Sequence, residues 1–349
     1  MDRFIVTLGG GDHATHLDRH PNRPGAAARS LIAVPATAAA AAAPDTARRQ
    51  VIDLGTLGGV YTLSEARAVN DRGQVVGDSI PAGLGPEHAF LWEQGRMRDL
   101  GTLGGLISDA TDINNHGQVV GASATTAGAV HAFSWAGGRM RDLGTLGGST
   151  SVAQAINDHG RVVGTSTTAS GETHAFSWAG GQMRDLGLAS ANDLNDRGQI
   201  TGGAQFGDTF HAYRLQGGHL VDLDGADVPY SEGVAINEAG QVAGNSAPAP
   251  AEFNHAFLWS QGRRVDLGTL GGEFSAASGI NDHGAVVGQA STTGGPLRGF
   301  VWRHGAMTDL GALATDGENG SRANDINNHG WIVGASDVPG GDFHAVLWR

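Results

Sequence analysis

Short apolar runs alternate with glycine-containing turns along most of the chain. Within residues 153–186, four such runs follow one another, and two of their junctions, 158–160 and 179–181, are three-residue turns that end in glycine. Glycine at the last position of such a turn adopts the left-handed conformation without a Cβ penalty, which suits a hairpin. The stretch has no apolar period of 3.6 residues. The pattern therefore predicts antiparallel β-strands and an all-β fold.

Three sequence patterns recur seven times each, at intervals of 37 to 46 residues. The first, Asn-x-x-Gly-x-Val/Ile-x-Gly, starts at Asn70, Asn114, Asn157, Asn195, Asn237, Asn281 and Asn327. The second, His-Ala-Phe-x-Trp with local changes, starts at His88, His131, His174, His211, His255, Arg298 and His344. The third, Asp-Leu-Gly or a close variant, starts at Asp53, Asp99, Asp142, Asp185, Asp222, Asp266 and Asp309. Recurrence in register indicates a repeat architecture.

A four-stranded antiparallel unit of about 40–45 residues is typical of a propeller blade. We therefore expect a seven-bladed β-propeller over residues 51–349, with four antiparallel strands per blade, the Asn strand innermost and the Asp-Leu-Gly strand outermost. The chain ends on a third strand, residues 344–349, while residues 51–55 are an unpaired fourth strand. The N-terminal strand should therefore pair with the last blade and close the ring, which removes two exposed sheet edges.

Two departures from the repeat predict local irregularities. The link from Asp185 to Asn195 spans 10 residues against 15 in four other copies, and Leu215 takes the Trp position of the same blade, so we expect the ring to be notched there. Trp331 lies outside the Trp register, directly after the turn residue Gly330, and is expected to be exposed.

The connections of a blade differ between its two ends. The links between blades and the variable loops that precede each His-Ala-Phe share one end, which we call the loop-bearing face; the other end, the short-turn face, carries only tight glycine turns. Variable loops on a rigid scaffold are the usual place for binding.

Residues 1–50 belong to no repeat and form a predicted leader. Residues 30–43 are uncharged and mostly alanine, and Arg19, Arg23 and Arg29 precede them, which indicates a secretory signal segment. The alternative is a disordered alanine-rich linker. The stretch is shorter than the roughly 20 apolar residues that span a bilayer, so we expect no membrane span.

Composition excludes several kinds of chemistry. The 349 residues contain no cysteine, and all 22 basic residues are arginine. Disulfides, thiolate nucleophiles, cysteine-ligated zinc and a Schiff-base or phosphate-loop lysine are therefore excluded. The formal net charge of −13 makes a nucleic-acid partner unfavourable.

The three patterns together resemble the HAF-repeat family of bacterial proteins. The carriers of the resemblance are Asp-Leu-Gly-Thr-Leu-Gly-Gly, Ile-Asn-Asp-His-Gly-x-Val-Val-Gly and His-Ala-Phe-x-Trp, which recur in register over about residues 51–349. The resemblance implies an extracellular, periplasmic or cell-surface repeat protein. It supplies no catalytic residues, because no shared activity is established for the family.

The repeated polar and aromatic residues have structural interpretations. We expect the His, Phe and Trp of His-Ala-Phe-x-Trp to pack between blades rather than to bind metal or sugar, because alternate strand residues share a face. The Asn of each turn should bond its own backbone, and the Asp of Asp-Leu-Gly should cap a turn. We predict no catalytic residue, metal site or cofactor from these positions.

Polar residues that break the repeat mark the candidate ligand site. Five and three residues before the inner Asn, the side chains vary while the small residue between them does not. These positions should lie at the mouth of the central channel on the loop-bearing face. The candidate site residues are Glu65, Arg67, Asp109, Glu232 and Arg322.

Three functions remain open. The first is a non-enzymatic, monomeric propeller that binds an extracellular polysaccharide or protein through the loop-bearing face. The second is a polysaccharide hydrolase or lyase that uses the carboxylates at the channel mouth, since paired carboxylates perform glycosidic acid–base chemistry. The third is a structural surface protein without a defined ligand.

Overall fold

The computed structural model describes residues 49–58, 63–82, 85–225, 228–247, 254–314, 320–339 and 342–349. The chain divides into two units, Met1–Ala41 and Ala42–Arg349, and all described residues belong to the second. Except for Arg49 and Gln50, the predicted leader lies outside the described residues.

The described part of the chain forms 28 β-strands, numbered β1 to β28 in chain order, and no α-helix. The first strands of the seven repeats are β2 Ser64–Val69, β6 Gly104–Ile113, β10 Gly147–Ile156, β14 Asp193–Leu194, β18 Tyr230–Ile236, β22 Gly271–Ile280 and β26 Ser321–Ile326. The second strands are β3 Val75–Ser79, β7 Val119–Thr125, β11 Val162–Thr168, β15 Ile200–Phe206, β19 Val242–Ala247, β23 Val286–Thr292 and β27 Ile332–Asp337.

The third strands are β4 His88–Glu93, β8 Val130–Ala136, β12 Thr173–Ala179, β16 Thr209–Gln216, β20 His255–Ser260, β24 Leu297–Arg303 and β28 Phe343–Trp348. The fourth strands are β5 Arg96–Asp99, β9 Arg139–Asp142, β13 Gln182–Asp185, β17 His219–Asp222, β21 Arg263–Asp266, β25 Ala306–Asp309 and, from the start of the chain, β1 Val51–Gly55.

Each repeat forms the four-stranded antiparallel arrangement that the sequence predicts, as in the order β2-β3-β4-β5. The last repeat has the order β26-β27-β28-β1, and β1 pairs antiparallel with β28, with Val51 opposite Trp348. The predicted pairing of the N-terminal strand with the last repeat is therefore present.

The sheets among the described residues number six rather than the seven expected. Five have four strands, and the sixth has eight because one parallel bridge, Phe210 with Tyr230, joins β16 to β18. The two aromatic rings stack with centroids 5.6 Å apart, so a side-chain contact accompanies the backbone bridge. The neighbouring β14 has only two residues, which agrees with the irregularity expected from the short link that precedes it.

The apolar core lies between neighbouring sheets. Val76 and Leu91 of the first repeat share a buried cluster with Phe133 and Trp135 of the second. Arg98, from the fourth strand of the first repeat, lies over the Trp135 ring at 5.3 Å. The expected packing of the repeated aromatic residues between blades is confirmed at this interface.

The asparagine at the start of each turn bonds within its own turn and to the next repeat. Asn70 Oδ1 accepts the backbone N–H of Gln74 over 2.9 Å, and Asn70 Nδ2 donates to the carbonyl oxygen of Asn114 over 3.0 Å. The expected bond to its own backbone is confirmed. Bonds to the next repeat run in series through Asn70, Asn114, Asn157, Asn195, Asn237, Asn281 and Asn327, and Asn327 donates back to Asn70.

The expectation that Trp331 is exposed is wrong. Its side chain is half-buried, with the Arg349 guanidinium 5.6 Å from its ring centroid. The indole also packs against Gly73, where an added Cβ would meet the ring. Trp331 therefore fills space between the last and first repeats.

Candidate functional site at the loop-bearing face

The candidate site residues lie near the loop-bearing ends of the first strands. Glu65 in β2 is opposite Asp78 in β3, Asp109 in β6 is opposite Ala122, and Arg322 in β26 is opposite Ala335. Strand β2 belongs to the first repeat, β6 to the second and β26 to the seventh. The seventh repeat is joined to the start of the chain by the β1–β28 pairing, so the three repeats are neighbours.

Glu65 is the centre of this group and is only 8% exposed. Its Oε2 accepts a hydrogen bond from Arg322 Nη2 over 2.6 Å. Its Oε1 accepts one from Asn324 Nδ2 over 2.8 Å and lies 3.3 Å from Arg67 Nη1. Residues from β2 and β26 therefore hold one carboxylate between two guanidinium groups.

Arg67 joins Glu65 to a second buried carboxylate. Its Nε donates to Asp78 Oδ1 over 3.1 Å, and Asp78 is 8% exposed. Burial works against the charged guanidinium, but the carboxylates of Glu65 and Asp78 outweigh it and raise the pKa of Arg67. The side chains of Arg67 and Arg322 remain about two-fifths exposed (39% and 41%), so both cations can meet a ligand.

Asp109 has the most perturbed carboxyl group of the site. Burial raises its pKa to about 7, and the negative charge of Asp78 and a hydrogen bond to that residue add to the effect. Asp109 Oδ1 is buried without a hydrogen-bond donor among the described residues. Two ionised carboxylates repel each other and have no hydrogen to share. A protonated Asp109 can instead donate a hydrogen bond to Asp78.

We refer to Glu65, Arg67, Asp78, Asp109, Arg322 and Asn324 as the mixed-charge cluster. With Asp109 protonated, two carboxylates face two guanidinium groups. Glu87 is largely exposed but lies near this cluster. Its pKa is raised by partial burial and by the negative charge of Asp78. Phe343, 37% exposed, lies beside it with its ring 5.3 Å from the Arg322 guanidinium. The cluster can therefore offer charged, hydrogen-bonding and aromatic groups to one ligand.

Glu232 lies with a different set of residues. Its Oε1 accepts hydrogen bonds from Ser190 Oγ and Asn192 Nδ2 over 3.0 and 2.8 Å, and its Oε2 accepts one from Tyr230 Oη over 3.2 Å. These partners belong to the fourth and fifth repeats. Contacts therefore join four of the five candidate residues, while Glu232 has its own hydrogen-bonded group.

Sequence reasoning missed Asp78 as a member of the site. The signal was present, because the equivalent residues in the other repeats are uncharged: Ala122, Thr165, Gly203, Asn245, Gln289 and Ala335. The candidate residues that break the repeat all belong to first strands, whereas Asp78 belongs to a second strand.

Polar residues from the short-turn ends of all seven first strands line a cavity of about 210 Å³. In each repeat the residue after the turn asparagine donates its backbone N–H to the side chain of the equivalent residue in the next repeat. The series is Asp71, Asn115, Asp158, Asp196, Glu238, Asp282, Asn328 and back to Asp71.

Three further aspartates, each two residues before a turn asparagine, join neighbouring repeats. Asp112 accepts backbone N–H bonds from Ile113 and Ile156, both over 2.7 Å. Burial raises the pKa of Asp112 to about 7 and that of Asp325 to about 6, and raises the pKa of Asp193 well above its ordinary value. The negative charge of Asp325 adds to the rise in the pKa of Asp112, and the charges of Asp112 and Asp325 add to the rise for Asp193. The three carboxyl groups therefore face a shared interior.

The histidines of the second pattern pair with the aspartates of the third. His174 Nδ1 lies 2.8 Å from Asp185 Oδ2, while Asp185 Oδ1 accepts the backbone N–H of Gly187 over 2.7 Å. The expected turn-capping role of this aspartate is confirmed, and the histidine contact is an addition to it. Among the described residues, no group of three or more His, Cys, Asp or Glu side chains has an arrangement that could hold a metal ion.

Comparison with known proteins bears on the fold. No family model and no curated protein matches the chain. Among solved structures, the chain is similar to oligogalacturonate lyase from Vibrio parahaemolyticus, with a TM-score of 0.58 and 9% identity over 87% of this chain and 94% of that one.

The chain is also similar to the acylaminoacyl peptidase of Pyrococcus horikoshii, with a TM-score of 0.54 and 10% identity over 84% of this chain and 52% of that one. A Mycobacterium tuberculosis puromycin-hydrolyzing peptidase matches with a TM-score of 0.52 and 13% identity over 82% of this chain and 51% of that one. The chain thus spans about half the length of these peptidases. At such identities the similarity shows the fold alone, which is that of a β-propeller.

No helix in the described ranges is long and apolar enough to cross a membrane.

Proposed function

We propose that the protein is a closed seven-bladed propeller that is secreted or exposed at the cell surface, and that it binds an extracellular partner through its loop-bearing face. The β1–β28 pairing supports ring closure, and so does the asparagine series that returns from Asn327 to Asn70. Seven blades are compatible with six sheets, because the Phe210–Tyr230 bridge joins the strands of two repeats into one sheet. The resemblance to HAF-repeat proteins supports an extracellular, periplasmic or cell-surface location.

The observation that carries the binding proposal is the convergence of residues on the mixed-charge cluster. Four residues that interrupt an otherwise regular repeat meet there, and Asp78 joins them. The buried carboxylates of Glu65 and Asp78 fix the guanidinium groups of Arg67 and Arg322 while leaving them accessible. Preorganised, accessible polar groups reduce the entropic cost of binding a ligand. The partner is a polysaccharide or a protein, and the binder is a monomer that needs no cofactor.

The first test is incubation of the full-length protein with a panel of immobilised neutral and acidic polysaccharides and bacterial surface proteins. Two quantities are followed, namely retention of the protein and shortening of each polymer. Retention without shortening supports a binding protein. Absence of both across the panel favours the structural role.

A polysaccharide lyase is the second candidate, and the Asp78–Asp109 pair is the observation that favours it. One carboxyl of the pair has a pKa of about 7 and can exchange a proton near neutral pH. The Vibrio parahaemolyticus protein named as an oligogalacturonate lyase has the same fold. A glycoside hydrolase fits this pair less well, since its two carboxyls need a separation of about 5 Å or more. Polymer shortening that disappears in Asp109→Asn would support the lyase.

A further inference from the structure

Arg214 breaks the repeat at the interface between the fourth and fifth repeats. In two other interfaces, the arginine over the Trp ring comes from the fourth strand of the preceding repeat, as with Arg141 over Trp178 at 5.3 Å. The equivalent of Arg141 in the fourth repeat is Val221. Arg214, on the third strand β16, lies over Trp259 instead, with its guanidinium 4.9 Å from the ring centroid. The cation–π contact is thus kept by an arginine from a different strand.

A cleft of about 430 Å³ lies beside this pair. Its lining consists of Arg214 from one repeat and two turns of the next, namely Ala239, Gly240, Gln241, Trp259, Ser260, Gln261 and Gly262. The volume falls within the range of small-molecule sites, about 300–1,000 Å³. The position, next to the tight turns, is at the opposite end of the strands from the mixed-charge cluster, so this site does not depend on the proposed function.

The guanidinium in this cleft is incompletely paired. Arg214 Nη1 donates to the carbonyl oxygen of Gly240 over 3.2 Å. Arg214 Nε is buried and has no hydrogen-bond partner among the described residues. None of the lining residues is acidic. Because Nε is shut off from solvent, a ligand in the cleft meets the terminal Nη groups, whose N–H donors form charge-assisted hydrogen bonds with carboxylate oxygens.

Two polar side chains define what else the cleft can recognise. Gln241 Nε2 donates to Ser260 Oγ over 3.2 Å, which leaves the hydroxyl hydrogen of Ser260 free for a ligand acceptor. A single guanidinium neutralises one negative charge, and the protein carries a net charge of −13 that disfavours more highly charged anions. The cleft therefore favours a monoanion.

We propose that the cleft beside Arg214 binds the carboxylate of a small organic acid or of a sugar acid. The carboxylate accepts hydrogen bonds from the terminal Nη groups of Arg214, and Ser260 donates to a neighbouring oxygen of the ligand. The two possible sources of the group, a free acid and a residue of an acidic polysaccharide, present the same chemistry to the guanidinium.

The test is calorimetric titration of the full-length protein at pH 7.5 and constant ionic strength with acetate, glucuronate, oligogalacturonate and inorganic phosphate. We expect acetate and glucuronate to bind saturably and in competition, and phosphate, a dianion at this pH, to bind more weakly. Competition by oligogalacturonate would identify a polymer as a source, and its failure to compete would identify the free acid. Absence of saturable carboxylate binding, or phosphate binding as tight as that of acetate, would overturn the proposal.

Variants assign the binding to the cleft. Arg214→Lys keeps the charge but loses the two Nη groups. It should weaken acetate binding about tenfold or more, which corresponds to the loss of one hydrogen bond to a charged group. Ser260→Phe fills the cleft and should weaken binding similarly without changing Arg214. Arg141→Lys, which alters the equivalent cation–π pair in a repeat without this cleft, is the matched control and should bind as the wild type does. Equal affinity in all four proteins would place the carboxylate elsewhere.

Discussion

Asn327 donates its side-chain amide to the carbonyl oxygen of Asn70 over 3.0 Å, although 257 residues separate the two in sequence. The bond is equivalent to those between adjacent repeats, so the last repeat makes the same asparagine contact with the first as neighbouring repeats make with each other. In the proposed ring, this contact and the pairing of β1 with β28 join the ends of the chain.

The first prediction concerns this joint. Removal of residues 1–55, which includes β1, should lower the free energy of unfolding by more than about 2 kcal/mol, the worth of burying one leucine side chain. Leu54 in β1 is 7% exposed, and the strand also pairs with β28. Urea unfolding followed by tryptophan fluorescence measures the change. Removal of residues 1–48 is the control and should leave the stability unchanged; an equal loss in both truncations would contradict the role of β1.

The second prediction concerns the close approach of first and second strands. A Cβ on Gly121 would overlap the carbonyl oxygen of Asp109 on the paired strand. Gly121→Ala should therefore cost about 3 kcal/mol, at the upper end for overpacking, because backbone cannot move aside as a flexible side chain can. Gly225→Ala is the matched control, since an added Cβ there meets no atom within 4 Å. Thermal unfolding of both variants decides the point, and similar melting temperatures would refute the clash.

The third prediction is a pH dependence of stability from the interior aspartates. The folded pKa values of Asp112 and Asp325, about 7 and 6, lie above the ordinary value of 3.8. Between these limits the folded state binds more protons than the unfolded state, so stability falls as the pH rises. We expect a loss of about 1–2 kcal/mol from pH 5 to pH 8, less than the full pKa shifts imply because both residues are only partly buried.

The measurement is urea unfolding at pH 5 and pH 8 for the wild type, Asp112→Asn and Asp325→Asn. Asparagine loses one acceptor, so each variant starts from a lower stability, and the comparison is of the change with pH. A smaller change in each variant than in the wild type is expected. An unchanged pH dependence in both variants would show that other groups cause it.

The fourth prediction concerns the repeated His–Asp contacts. The hydrogen bond to Asp185 raises the pKa of His174, and the same bond lowers the pKa of Asp185. A titration of His174 by NMR should therefore give a pKa above the ordinary 6.5. Asp185→Asn should bring the value down. A pKa of His174 that stays the same after this substitution would mean that the contact does not form in solution.

The sequence predicted the repeat-based features of the fold because each is encoded many times. Turn glycines, alternating apolar residues and the Asn and Asp positions recur in every unit, so a local rule derived from one repeat applies to the others. The pairing of residues 51–55 with the last repeat followed from counting strands. The Asn70–Asn114 bond was missed, since it depends on the distance between neighbouring blades, which no local pattern specifies.

The candidate site was only partly predictable. Glu65, Arg67, Asp109 and Arg322 were found because they interrupt a regular position, but which of these meet depends on which repeats are neighbours in space. Glu232 interrupts the same position and yet bonds to Ser190 and Tyr230. Trp331 appeared exposed in sequence because its contact with Gly73 joins residues from opposite ends of the chain.

The most direct test of the central claim compares binding by the wild type, the double variant Arg67→Ala/Arg322→Ala and the matched control Gln154→Ala on one panel of immobilised polysaccharides and bacterial surface proteins. Gln154 occupies the position of Arg67 in the third repeat, away from the mixed-charge cluster. We predict that wild type and Gln154→Ala are retained by the same partner and that the double variant, still folded by circular dichroism, is not. Equal retention of all three proteins would contradict a ligand site at the mixed-charge cluster.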